Sequence, residues 1–150
     1  MITTTVDASG LDDLSKKLSG AAGGGISPDS LLREIAVSMV GVIQERIHTD
    51  GKKADGSNIG TYSDGYLKQR IKAKNFSDPK VVLFYTGDMQ NDWKIIPLSD
   101  TEYGLGYDNS LNANKADWAE ERFGKIFALS DQELNDVRTI VQAYLDKVFA

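Results

Sequence analysis

"SPDSLLREIAVSMVGVIQERIH", Ser27–His48, carries the strongest structural signal in the chain. Leu31, Ile35, Met39, Ile43 and Ile47 recur every four residues, and Leu32, Ala36 and Val40 widen the stripe. That spacing predicts an amphipathic helix of about five turns. Ser27 suits the N-cap and Pro28 the first helical position. The helix should stop near "HTDG", with Gly51 just past its end. Gly41 inside it costs about 1 kcal/mol against Ala, so a close approach by another backbone is expected there. An apolar stripe this wide needs a second layer to cover it.

Downstream, "KVVLFYTG", "MQNDWKIIPL" and "TEYGLGYD" supply that layer as three predicted strands. Tyr103, Leu105 and Tyr107 alternate strictly, which marks a strand with one buried face. "PLSD" reads as the turn of a hairpin joining the last two strands, and Gly87 in "TGDM" suits a tight turn or short helical break. "NKADWAEERFG" predicts a short helix stopped by Gly124, with Ala116, Ala119 and Phe123 near one face. "KIFAL" is expected to be extended. "SDQE", Ser130–Glu133, is a capping box opening a last helix striped by Leu134, Val137, Val141, Tyr144, Leu145 and Val148. Trp118, Phe123 and Phe127 fall where the sheet meets this helix and are expected to pack that corner. The fold class is therefore α+β: a small antiparallel sheet packed by a long amphipathic helix and a C-terminal helix.

Upstream, "MITTTVD" reads as a short edge strand and "SGLDDLSKKLSG" as a short amphipathic helix. "AAGGG" follows as a flexible hinge. Residues 1–25 are thus expected to form an arm reaching a neighbouring subunit, and residues 26–150 the main domain.

With 150 residues the chain is long enough for one self-supporting core. A net charge of −5 argues against a general nucleic-acid binder. The absence of cysteine excludes disulfides, thiol nucleophiles and Cys-based zinc sites. The opening "MITTTVDASG" lacks the basic and apolar regions of a secretory signal, and no apolar run approaches the roughly 20 residues that span a bilayer. Cytoplasmic synthesis and no membrane partner are expected.

Catalytic signals are weak. His48 stands alone at a helix end, where a local C-terminal interaction is the usual role. Glu120 and Glu121 point apart on a helix, and Asp88 and Asp92 have no announced cleft. No nucleophile elbow, zinc motif or dinucleotide fingerprint occurs. "DGKKADGSNIGTYSDGY" has Asp-Gly pairs but not the spaced acids or closing Glu of a calcium loop. It reads as a mobile surface loop that orders on contact. "YLKQRIKAKN" is basic, and reads first as the solvated face of a short helix. The candidate partner-contact residues are Lys52, Lys53, Tyr62, Tyr66, Lys68, Arg70, Lys72 and Lys74, facing an acidic partner. No catalytic residue, metal or cofactor is expected. The alternative is an acidic accessory protein binding nucleic acid through residues 66–74.

The order of segments carries a resemblance. A capped helix leads to a "DG…DG" loop, then to "LFYTGDMQNDWKI", then through "YGLGYDN" and "ADWAEERFGK" to "IFALSDQEL". From about Ser27 onward this resembles the phage virion-morphogenesis and tail-completion families, which join heads to tails or terminate tails. Lys125-Ile126 stands where those families usually have Arg-Pro, and Asn58-Ile59-Gly60 where they usually have Trp. The resemblance implies a structural, non-enzymatic virion protein of the neck. It would form a homo-oligomeric ring, commonly a hexamer, between the tail tube protein and the head-completion or connector proteins, with genomic DNA passing through the lumen.

Overall fold

The computed structural model describes residues 4–7, 28–99 and 102–148. Helix α1, Pro28–His48, is organised by the four-residue stripe: Leu31, Ile35, Met39, Ile43 and Ile47 are all buried. Leu32 and Ala36 join them, and Val40 packs against the cluster. A run of side chains this complete fixes the helix by burial more than by propensity. The Ser27 cap lies outside the described residues. Gly41 is a correction: it is exposed, and a Cβ built there meets nothing within 4 Å. The glycine sits on the solvent side of α1 and admits no neighbouring backbone.

The sheet has three strands, β1 Thr4–Asp7, β2 Trp93–Ser99 and β3 Glu102–Tyr107, in the order β1-β3-β2, all antiparallel. β3 is central and buried from Tyr103 to Tyr107, which alternation alone would have left open on one face. Trp93 pairs with Tyr107, Ile95 with Leu105 and Pro97 with Tyr103, so these side chains share one face. The Tyr103 hydroxyl donates to Asp29 on the first turn of α1, which places that face against the long helix. The expected turn at Pro97 begins later: Pro97 stays in β2, with a register shift between Pro97 and Ser99. An edge strand tolerates a proline there because one row of its backbone groups is unpaired.

The third strand is not the expected one. "KVVLFYTG" makes only an isolated bridge, Lys80 to Thr61, and Leu83 adopts φ 46°. A strand needs φ near −120°, so this residue ends any extended run. The open place in the sheet is taken by β1, the short strand expected at the start of the chain, which pairs with β3. The expected short helix and glycine hinge between β1 and α1 lie outside the described residues.

Three further helices follow α1 before the last one. Helix α2 is Asp64–Lys74, the one-turn α3 is Asp88–Asp92 after Gly87 at φ 90°, and α4 is Ser110–Phe123. α4 buries Ala113, Ala116 and Ala119 and packs on β3. The last helix, α5 Asp131–Val148, packs on α1 through the half-buried Val137, Ile140, Val141 and Tyr144. Its capping box forms as expected: Ser130 N–H donates to Glu133 Oε2 (2.7 Å) and Glu133 N–H to Ser130 Oγ (3.2 Å). Leu134 is more exposed than its place in the predicted stripe implied.

The corner between α4 and α5 has no strand partner, so charged side chains satisfy its backbone. Glu120 Oε1 accepts from the N–H groups of Ile126 and Phe127, both at 2.8 Å. Arg46 donates to the carbonyls of Ile126 (2.8 Å) and Ala128 (2.9 Å). Phe127 is fully buried against Trp93 and Tyr107, and Phe123 is half-buried. Trp118 is not part of this packing: 61 % of it is exposed.

Candidate functional site

Helix α2 starts at Ser63, whose hydroxyl accepts from Tyr66 N–H (3.4 Å), and stops at Asn75 in the left-handed region. Lys68, Lys72 and Lys74 point to solvent, as a charged helix face should. Arg70 is the correction to that picture. It is only 4 % exposed and lies on the side of the helix opposite Lys68 and Lys72. Its guanidinium carbon lies 4.3 Å from the ring centre of Tyr62, 5.1 Å from Phe76, 5.6 Å from Tyr85 and 5.8 Å from Tyr66.

The walls of this cage come from distant segments. Tyr62 is anchored by its N–H to Pro79 O (2.8 Å), and its hydroxyl accepts from Val82 N–H (3.3 Å). Burial raises the Tyr62 hydroxyl above its ordinary pKa, so it stays protonated. Tyr62 and Tyr66 meet edge to face at 5.3 Å. Phe84 and Tyr85 arrive from the segment after Val81 and contact Phe76. Beside the cage a cavity of about 380 Å³ opens, lined by Tyr62, Tyr66, Arg70, Phe84, Tyr85 and Lys115 among others. Leu83 also lines it, in its strained left-handed conformation.

His48 explains how that strain is held. Its Nδ1 lies 3.2 Å from Leu83 O, and the ring is buried at the end of α1. Desolvation lowers its pKa below the ordinary value, so the neutral ring donates Nδ1–H to the carbonyl. The lone histidine thus pins the cavity-lining segment to the core.

The structure divides the sequence-derived candidates. Tyr62, Tyr66 and Arg70 meet in the cage; Lys68, Lys72 and Lys74 are exposed on α2. Lys52 belongs elsewhere: it bonds Asn58 Oδ1 (2.7 Å) and lines a second cavity with Arg46, Asp55 and Glu133. Lys53 lies beside it, its N–H donating to Ser57 O (2.8 Å). The loop that carries both, expected to be loose, is tied by a Lys52–Asn58 bridge, by Ile59 N–H to Gly51 O, and by burial of Ile59. Asp92 Oδ2 accepts from Asn112 Nδ2 and Asn109 N–H, both 3.0 Å, and so anchors the start of α4. Among the described residues no group of three or more His, Cys, Asp or Glu is arranged to hold a metal ion.

Sequence reasoning missed Phe84, Tyr85 and Lys115 in this cavity, because β-propensity cast the first two as strand residues. It also missed the exposure of Leu111 and Trp118, 55 % and 61 %. The signal was present: α4 buries a stripe of alanines, and these two large residues, two turns apart, fall off that stripe. No helix among the described residues is long and apolar enough to cross a membrane. Compared with known proteins, the chain matches no family model, no curated protein and no solved structure.

Proposed function

We propose that this chain is a structural protein of a phage neck, which assembles as a ring, hexameric in the simplest case, caps the tail tube and joins it to the DNA-filled head. The observation that carries the reading is the order of segments: capped α1, the "DG…DG" loop, the "TGDM" step into β2, and "ADWAEERFGK…IFALSDQEL" leading into α5. The role is one of assembly, without catalysis.

The surface supports this reading. Leu111 and Trp118 are two large apolar side chains exposed on one side of α4, and α5 keeps Leu134 exposed beside its half-buried face. Large exposed apolar residues are the material of subunit contacts. A head-to-tail contact between unlike patches closes into a ring when its rotation allows. The net charge of −5 suits a lumen through which DNA must slide without being held.

Electron microscopy of a lysate in which this gene carries an early stop codon tests the reading. Filled heads beside unjoined tails are the expected result, with tubes of uncontrolled length if the ring is also a terminator. Intact, infectious particles would sink it.

A further inference from the structure

Arg70 is the least explained group in the molecule. Among the described residues its guanidinium takes part in no hydrogen bond or ion pair, and its Nε is fully buried without a partner. A buried cation is normally paired, because its desolvation is costly. Arg46, in the same chain, shows the ordinary solution, with bonds to Glu133, Lys52 O, Ile126 O and Ala128 O. The rings around Arg70 recover part of the cost by cation–π attraction, but a π-face is a far weaker acceptor for the N–H fork than an oxygen. Among the described residues no oxygen takes up the donors of that fork, and the residue lines a cavity of about 380 Å³.

We propose that this cavity is a docking socket for the carboxylate of an acidic side chain carried by a partner polypeptide. The planar guanidinium matches a carboxylate in two parallel hydrogen bonds. Lys115 on the lining adds a second cation. Tyr66 and Tyr85, 40 % and 38 % exposed, stand where they bracket the stem of the entering side chain and the residues beside it. Tyrosine and arginine together are the composition of interface hot spots. A polypeptide suits the site better than a free oxyanion, which would leave the aromatic walls uncovered. Asp88, also on the lining, favours a singly charged carboxylate over a phosphate. The inference stands on the cavity alone and holds whether or not the chain belongs to a virion.

The Arg70 Nε–H reports directly on its own occupancy in ¹H–¹⁵N NMR spectra of the full chain. Its cross-peak is identified by NOEs to the Tyr62 ring, so no variant is required. The probe is the capped peptide acetyl-Leu-Glu-Leu-amide, compared with acetyl-Leu-Gln-Leu-amide and with inorganic phosphate. The expected result is a saturable downfield shift with the Glu peptide and none with the Gln peptide. A shift produced by raising the protein concentration alone also supports the socket and makes a second copy its partner. No response to the Glu peptide, an equal response to both peptides, or a larger response to phosphate overturns the proposal.

Discussion

Arg46 and Arg70 bury the same functional group in opposite circumstances. Arg46 is held by a 2.7 Å ion pair to Glu133, whose side chain is 2 % exposed, and by three carbonyls. Removing Glu133 leaves the largely buried Arg46 charge with carbonyls but no counter-ion, so Glu133→Ala should cost about 3 kcal/mol in urea unfolding. Among the described residues Arg70 has no such partner to orphan. Arg70→Met keeps the stem against the rings and removes an unpaired charge, so it should change stability by less than about 1 kcal/mol in the same measurement. His48 adds a pH dependence. Its folded pKa lies below 6.5, so under acid the unfolded chain takes up a proton that the folded chain resists. Stability should therefore fall as the pH drops below about 6.5, at up to about 1.4 kcal/mol per pH unit from this group. His48→Gln, which can still donate to Leu83 O but does not titrate, should flatten that part of the profile in unfolding curves at several pH values.

At the scale of elements, two glycines of α1 and its exit separate propensity from geometry. Gly41 is exposed with open space around its missing Cβ, so Gly41→Ala should stabilise by about 0.5–1 kcal/mol. Gly51 is the reverse. It sits at φ 63°, and a Cβ there would lie 2.5 Å from the backbone carbonyl of Val81. Gly51→Ala should destabilise by about 2 kcal/mol or more, visible as a lowered melting temperature. The helices were legible at this scale because period, caps and stops agree along a single stretch of chain. α1 ends where "HTDG" says, α4 stops at Gly124, and the Ser130–Glu133 box forms. "KVVLF" was not legible as irregular chain. Its residues favour strands, yet Leu83 turns left-handed where His48 takes its carbonyl, an interaction across 35 positions of sequence.

For the whole molecule, the proposed assembly would turn on residues that contribute little to the fold. Trp118 is 61 % exposed, so Trp118→Ser should leave unfolding within about 0.5 kcal/mol of the parent chain. It should nonetheless reduce the mass of any ring seen by sedimentation or native mass spectrometry. By itself the sequence determined the α+β class, the long helix with its buried stripe, the β2–β3 hairpin and the ends of α1 and α4; it did not show that α4 begins at Ser110, before the expected Asn114, or that Asp88–Asp92 is helical where a strand was expected. The features it determined all rest on patterns within about 20 neighbouring residues, where side-chain period reports directly on which face is buried. Only the tertiary structure decided that β1 fills the sheet, that Trp118 faces out while Phe127 faces in, and that Arg70 leaves its lysine neighbours for an aromatic cage. Those outcomes depend on which distant segments arrive alongside. A basic run in sequence shows the charge of a helix but not whether Tyr62, Phe76 and Tyr85 close over one member of it.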